Sequence, residues 1–231
     1  MSATGQPAIV FDLDGTLIDS IPQVAAAINA TLEEVRRPAL PLDTIRGIVG
    51  EGAQVTMERA LAATGDVSGL DTAVMVDRYL AHYLADPASR TTVFPGVVEV
   101  LEQFVAAGMV MGICTNKPGA TTRPVLSALK LDRFFIAVVT ADDTEHRKPD
   151  GRHILATLAA MKADRTQAVF VGDSRTDLAA AHDAGVCAVL VTYGYGDTRA
   201  KDLPIAANIS RFSDLPAAVE EIIWQKRIRT S

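Results

Sequence analysis

The chain has 231 residues, a length that allows one large domain or two smaller ones. Apolar residues make up 48% of it and aromatic residues only 5%, which fits a sizeable core of small aliphatic side chains. The formal net charge of −6 disfavours nucleic-acid binding through a broad basic surface, and no apolar stretch is long enough to span a membrane. We therefore expect neither nucleic acid nor a membrane among its partners.

The start of the chain and the cysteines predict a cytoplasmic protein. Residues 1–7 have no basic segment and no cleavage pattern, so no signal peptide is expected. The two cysteines, Cys114 and Cys187, both lie in apolar strand-like runs. Cysteines in such runs are most simply reduced core residues, and not a disulfide or a pair of metal ligands.

An apolar run near the start of the chain ends in two carboxylates. Residues 9–11 are typical of a buried strand, and Asp12 and Asp14 follow it before the turn-forming Gly15. Because charges at the end of a buried strand need a partner, this pair predicts a bound cation. A strand-end aspartate that attacks phosphorus, followed by one that moves a proton, suits phosphoryl transfer through an aspartyl phosphate. On these residues alone, a plain strand with an Asp-Gly turn is an equal alternative.

A helical stretch with no convincing strand follows, from about residue 19 to residue 89. Apolar residues recur at helical spacing from residue 24, prolines end that helix, and Asp43 is placed to cap a short helix that reaches Ile48. The segment Gly50-Glu51-Gly52 forms a flexible joint. Two more helices are predicted over residues 53–63 and 70–84.

From residue 93 the pattern alternates between helices and apolar strands. Helices over residues 97–106, 121–129, 152–160 and 176–184 precede strands over residues 109–114, 137–140, 168–171 and 188–191. This alternation predicts an α/β fold with a Rossmann-like parallel sheet that is covered on both faces. Such sheets bind ligands at the carboxyl ends of their strands, where Asp12, Thr115 and Asp173 fall. The predicted core is residues 1–18 and 90–231, with a small helical domain, residues 19–89, inserted.

Four segments resemble, in order, the motifs of the haloacid dehalogenase superfamily. Asp12-Leu13-Asp14-Gly15-Thr16 resembles the first motif, Ile113-Cys114-Thr115-Asn116 the second, Lys148-Pro149-Asp150 the third, and the segment from Gly172 to Asp177 the fourth. The resemblance covers essentially the whole chain and is greatest to the phosphoglycolate phosphatase group. It implies that the inserted helical domain is a cap that closes over the active site.

The resemblance implies a role for each matching residue. Asp12 is expected to be the nucleophile, and Asp14 the group that protonates the leaving alkoxide and then activates water. Thr115 and Asn116 are expected to bind phosphate oxygens. Lys148 is expected to neutralise the transferring group and to keep the nucleophile ionised.

A metal ion is expected among these oxygens, and Mg²⁺ suits them because it prefers hard ligands and takes phosphate oxygen directly. Its ligands would be the side chains of Asp12 and Asp173 and, as the resemblance implies, the backbone carbonyl of Asp14. Asp177 either holds metal-bound water and orients its neighbours or supplies a negative charge to the start of a helix. The sequence leaves both roles open. The segment Gly194-Tyr195-Gly196 lacks the third glycine of a dinucleotide-binding fingerprint and is interpreted as a loop.

The resemblance implies hydrolysis of a small phosphate monoester, with 2-phosphoglycolate as the favoured substrate, and we expect a monomer or homodimer. Asp14 favours phosphate, because the dehalogenases lack an acid at its position. Residues 19–90 contain no lysine, which argues against a phosphonatase and weakens a β-phosphoglucomutase-like phosphotransferase, since both use a cap lysine. The alternatives are a phosphatase of another small ester, such a phosphotransferase, and a non-catalytic phosphate-binding regulatory module.

Two cap residues, Arg46 and Glu51, are candidates to face the substrate. An arginine there could pair with a substrate carboxylate. A surface charge on a short helix explains Arg46 as well.

Overall fold

The computed structural model describes residues 5–196 and 202–230. Its strands are β1 (Ala8–Phe11), β2 (Ile18–Asp19), β3 (Thr92–Val93), β4 (Val110–Cys114), β5 (Ala137–Val139), β6 (Ala168–Gly172), β7 (Cys187–Val191) and β8 (Ala207–Ile209). Within these residues, six strands form a parallel sheet in the order β5-β4-β1-β6-β7-β8, while β2 and β3 pair as an antiparallel ribbon. The predicted Rossmann-like α/β core is confirmed.

Strand β1 lies at the centre of the sheet and is buried on both faces. Ile9 and Phe11 pack into the hydrophobic cluster on one face, while Ala8 and Val10 pack into the cluster on the other. The side chain of Phe11 is fully buried between Phe135 and Phe212, and its burial contributes about 2 kcal/mol. This packing fixes the position of the residues that follow β1.

The helices are α1 (Ile21–Glu34), α2 (Leu42–Arg46), α3 (Ala53–Thr64), α4 (Thr72–Ala85), α5 (Val97–Ala106), α6 (Gly119–Ala128), α7 (Arg152–Met161), α8 (Arg175–Ala184) and α9 (Leu215–Thr230). Helices α1 to α4 lie between β2 and β3 in the chain, and α1 packs against α4, α3 and α2. Helices α7 and α8 pack on the parallel sheet. Among the helices so described, none combines the length and the apolar character needed to cross a bilayer.

The structure corrects the sequence prediction at three places. The prediction that residues 19–89 hold no strand is wrong at Asp19, which pairs with Thr92 in the β2–β3 ribbon. Two-residue strands are too short to show a periodicity in the sequence. Asp43 does not cap α2, because that helix begins after Pro41 and Asp43 lies in its first turn. Strand β8 and helix α9 near the end of the chain were not predicted. Cys114 and Cys187 are unpaired, as expected.

Candidate active site

The carboxyl ends of three adjacent strands carry the polar residues that the sequence predicted to converge. Asp12 directly follows β1, Thr115 follows β4 and Asp173 follows β6. These residues, with Asp14 and Asn116, line one cleft, which we call the inner cleft. Their meeting follows from the parallel sheet, whose strand ends lie along one edge.

Lys148, in the loop before α7, lies between two carboxylates. Its Nζ atom is 2.8 Å from Asp12 Oδ1 and 2.7 Å from Asp177 Oδ1, and its side chain is only 2% exposed. Burial opposes the charge of this ammonium, but Asp12 and Asp177 outweigh that effect and raise the pKa of Lys148 above its usual range. The lysine is therefore a cation at neutral pH, held directly beside the expected nucleophile.

The backbone of Lys148 is fixed by the side chain of Asn116. The Lys148 N–H donates to Asn116 Oδ1 (3.0 Å), and Asn116 Nδ2 donates to the Lys148 carbonyl (2.9 Å). The sequence analysis expected this amide to bind phosphate. Both ends of this amide contact the backbone of Lys148, so Asn116 holds the lysine loop in position. The hydroxyl of Thr115 accepts a hydrogen bond from the backbone of Lys117 (3.2 Å).

Asp12, Asp173 and Asp177 form a compact cluster in which one carboxylate oxygen of each residue lies within 4.8 Å of the other two. Burial raises the pKa of Asp12 to about 7 against the opposing effect of Lys148, and the charge of Asp177 adds to the rise. Burial, and then repulsion from Asp177 and Asp12, raises the pKa of Asp173 well above its usual range. Lys148 alone does not balance this negative charge. A divalent cation would do so, and three carboxylates are the oxygen donors that it prefers.

Asp177 lies in the first turn of α8 and also contacts Lys148 in the site. Ser174 caps α8 and Asp177 completes a reciprocal capping box, in which Asp177 Oδ2 accepts from the Ser174 hydroxyl (2.6 Å) and backbone N–H (3.1 Å). Its other oxygen, Oδ1, binds Lys148. The helix cap therefore orients a carboxylate toward the lysine.

Asp173 is held by a loop to which the sequence analysis assigned no role. Its Oδ2 atom accepts hydrogen bonds from the backbone of Tyr195 (2.9 Å) and Gly196 (2.8 Å). A Cβ atom on Gly194 would lie 2.4 Å from Asp173 Oδ2, and one on Gly15, where φ is +84°, would lie 2.3 Å from it. Only glycine allows this approach of two backbone segments to the carboxylate.

The side chain of Asp14 contacts residues that do not contact the cluster of Asp12, Asp173 and Asp177. Its Oδ1 atom accepts from the Ser20 hydroxyl (2.5 Å), and both of its oxygens lie 3.3 Å from Lys117 Nζ. The ammonium of Lys117 also lies 4.4 Å from the ring centroid of Tyr83 on α4. Burial opposes the charge of Lys117, but Asp14 and the tyrosines outweigh it and raise its pKa above the usual range. Lys117, Ser20 and Tyr83 were not predicted; the one sequence signal is that Lys117 directly follows the second motif.

Arg46 and Glu51 do not reach the inner cleft. They line a neighbouring cleft, the outer cleft, together with Arg59 and Arg175. There Arg46 pairs with Asp43 at 3.2 Å, and Glu51 pairs with Arg59 at 2.6 Å, and all four side chains are exposed. The two clefts share Val49, Gly50, Ser174, Tyr195 and Gly196.

Comparison with known proteins identifies the class to which this fold and site belong. The family model of the haloacid dehalogenase-like hydrolases matches residues 9–191, and the chain belongs to that family. It is 42% identical over 211 residues to a phosphoglycolate phosphatase of Caulobacter vibrioides, covering 91% of this chain and 89% of the relative. It is 37% identical over 218 residues to a phosphoglycolate phosphatase of Cereibacter sphaeroides, with 94% and 99% covered.

A solved structure gives the same assignment. The crystal structure of a predicted phosphoglycolate phosphatase from Haemophilus somnus matches with a TM-score of 0.84 and 28% identity, covering 92% of this chain and 97% of that one. The superfamily predicted from the four motifs is confirmed.

Proposed function

We propose that the protein is a Mg²⁺-dependent phosphatase that hydrolyses a small phosphorylated metabolite, 2-phosphoglycolate in first place, through an aspartyl phosphate on Asp12. The observation that carries this proposal is the ion pair of Lys148 with Asp12, which forms a cluster of three carboxylates with the buried Asp173 and Asp177. The relatives named phosphoglycolate phosphatase support the choice of substrate.

The first half-reaction transfers the phosphoryl group to the protein. Because Lys148 binds Oδ1 of Asp12, we assign the attack on phosphorus to Oδ2. The ester P–O bond breaks as the Asp12–phosphorus bond forms, and Asp14 gives a proton to the leaving alkoxide. Lys148 offsets the charge of the transferring group, and the hydroxyl of Thr115 is assigned to a phosphate oxygen.

The second half-reaction returns the free enzyme. Asp14, now a base, takes a proton from a water molecule that attacks the phosphorus of the aspartyl phosphate. The bond between Asp12 and phosphorus breaks and inorganic phosphate is released. Asn116 acts indirectly, because its side chain fixes the backbone of Lys148.

The residues fit a divalent cation, as the raised pKa values of Asp12 and Asp173 indicate. We assign as ligands the side chains of Asp12 and Asp173 and the backbone carbonyl of Asp14, with Asp177 in support. When bound, Mg²⁺ supplies positive charge that offsets the phosphate and the carboxylates around it. The backbone of Tyr195 and Gly196 keeps Asp173 in place for that purpose.

We assign residues 19–89 to a cap and residues 1–18 and 90–231 to the core. The support is that Val49, Gly50, Thr56 and Tyr79, all between β2 and β3 in the chain, line the inner cleft with Asp12. Closure of this cap would exclude water from the phosphoryl transfer. Arg46 and Glu51, in the outer cleft, are assigned to contacts with substrates too long for the inner cleft. The unpaired Cys114 and Cys187 fit a reducing cytoplasm.

The test is phosphate release from a panel of small phosphate esters, with Mg²⁺ and with excess chelator. We expect 2-phosphoglycolate to be among the best substrates, chelation to abolish turnover, and added Mg²⁺ to restore it. Full activity in excess chelator would overturn the metal assignment. A low rank for 2-phosphoglycolate would overturn the substrate and leave the phosphatase class intact.

A further inference from the structure

We propose that Lys117 is the specificity-determining residue of the inner cleft, and that its ammonium binds the carboxylate of a small phosphorylated carboxylic acid. The proposal rests on the phosphatase function proposed above. The cation that binds the substrate carboxylate is then Lys117, in the core loop after β4, and not Arg46 of the helical unit.

The charged side chains that line the inner cleft are mostly carboxylates. Among the residues that the structure describes, Lys117 is the one cationic side chain in its lining, while Asp12, Asp14 and Asp173 are anionic. Lys148 lies beneath Asp12 and already binds two carboxylates. A dianionic phosphate with a further carboxylate adds more negative charge to this cleft, and Lys117, which pairs with only one carboxylate, is the cation placed to offset it.

Lys117 lies next to Asp14, the residue that we assign to protonate the leaving group. Asp14 donates its proton to the ester oxygen of the leaving group, so that its partners lie on the leaving-group side of the phosphate. In a 2-phosphorylated two-carbon acid, a single methylene separates the ester oxygen from the carboxylate. A cation 3.3 Å from both oxygens of Asp14 is therefore within reach of that carboxylate.

The ammonium of Lys117 is shielded from water. Its side chain is 6% exposed, and its ammonium covers the ring of the fully buried Tyr83. A charge shielded from water in this way attracts an anion more strongly than an exposed one does. Tyr83 belongs to α4 of the helical unit, whereas Lys117 follows β4 of the core. Core and helical unit thus meet at this lysine.

Arg46 lacks these properties. Its side chain is 47% exposed, it pairs with Asp43, and it lines the outer cleft only. Exposed pairs of this kind contribute little to binding energy. Arg46 is therefore the competing candidate that the experiment includes.

The test compares two substrates that differ at one group: 2-phosphoglycolate, and 2-hydroxyethyl phosphate, in which an uncharged alcohol replaces the carboxylate. The quantity measured is the ratio of their kcat/KM values in wild type, Lys117→Met, Lys117→Arg, Arg46→Met and Lys130→Met. Loss of a charged hydrogen bond predicts that Lys117→Met lowers the ratio by about ten- to hundredfold. The exposed Lys130, just beyond the end of α6, is the matched control and should leave the ratio unchanged.

Lys117→Arg guards against a variant that fails to fold, because it keeps a cation beside Asp14. Its larger group should still raise KM for 2-phosphoglycolate relative to the uncharged ester. An unchanged ratio in both Lys117 variants, or a fall in Arg46→Met alone, overturns the proposal. Wild-type protein that releases no phosphate from either ester, or from any ester of the wider panel, overturns the phosphatase function itself, which is a separate result.

Discussion

Lys148 and Asp12 form a buried ion pair of 2.8 Å at the carboxyl end of β1, and the same ammonium binds Asp177 at 2.7 Å. Removal of one partner from a buried pair leaves an uncompensated charge, which is costly. The same ion pair therefore contributes both to the proposed phosphate chemistry and to the stability of this edge of the sheet.

Lys148→Met should therefore lose both activity and stability. We expect turnover to fall by about 10²- to 10³-fold, because a preorganised charge at the transferring group is lost. We expect the free energy of unfolding to fall by about 3 kcal/mol, because Asp12 and Asp177 lose their shared cation. Steady-state kinetics and urea denaturation measure the two effects. The exposed Lys162→Met is the control, and wild-type turnover in Lys148→Met would contradict the role of the lysine.

Asp177→Asn separates the two roles of Asp177. The amide oxygen can still accept the hydrogen bonds of the capping box, so α8 should keep its start, whereas the negative charge near the cation is lost. We expect the Mg²⁺ concentration that gives half-maximal activity to rise by about tenfold, which corresponds to the 1.4 kcal/mol of one tenfold step.

Ser174→Ala is the complementary variant, because it removes the capping hydroxyl and keeps the carboxylate. We expect it to cost about 1 kcal/mol of stability with little change in Mg²⁺ requirement. If Asp177→Asn needs no more Mg²⁺ than wild type, the negative charge of Asp177 does not contribute to metal binding.

Gly194→Ala should displace Asp173. A Cβ atom there would lie 2.4 Å from Asp173 Oδ2 and 2.5 Å from the Gly15 carbonyl, so that the loop or the carboxylate must move. We expect a loss of about 1–3 kcal/mol in stability and a weaker response of activity to Mg²⁺. Gly47→Ala is the control, since its nearest contact would be an ordinary 3.5 Å. A Mg²⁺ titration that matches wild type would mean that Asp173 does not depend on this loop.

The sequence predicted the strand-end groups because each motif lies within a few consecutive residues of one strand. Asp12, Thr115 and Asp173 could be placed at one edge from the α/β pattern alone. The contacts of Asp14 with Lys117, 103 residues away, and of Asp173 with Tyr195, 22 residues away, depend on how separate loops meet in space. A local sequence pattern does not predict such contacts, and for this reason no role in the site was predicted for Lys117 or for the loop of residues 194–196.

Arg46 shows what a local sequence pattern leaves open. A charged residue in the predicted cap suggested a substrate contact, but the fold turns Arg46 to the outer cleft and pairs it with Asp43. Which face of a short helix meets the core is decided by packing, and a five-residue helix such as α2 carries too little pattern to predict it.

His153 predicts a dependence of stability on pH. Burial, and then the charge of Lys148, lowers its pKa from 6.5 to about 4 in the folded protein. Between these values the unfolded chain binds the proton and the folded protein does not, so stability is complete above about pH 6.5 and is lost as the pH falls toward 4. The loss is at most about 3 kcal/mol.

His153→Leu should remove this part of the acid sensitivity. Urea midpoints measured from pH 7 down to about 4.5 should fall less steeply in His153→Leu than in wild type. His182→Gln, at an exposed position on α8, is the control and should keep the wild-type slope. Equal slopes in His153→Leu and wild type would show that His153 takes up no proton on unfolding.

The central claim is covalent phosphoryl transfer to Asp12, and reductive trapping tests it most directly. Rapid quenching during turnover of 2-phosphoglycolate, followed by borohydride, converts an aspartyl phosphate to homoserine, which peptide mass spectrometry locates in the chain. We predict homoserine at position 12, dependent on substrate and Mg²⁺, and none in Asp12→Asn, whose turnover should fall by orders of magnitude. Homoserine at another aspartate, or turnover at the wild-type rate in Asp12→Asn, would contradict the account.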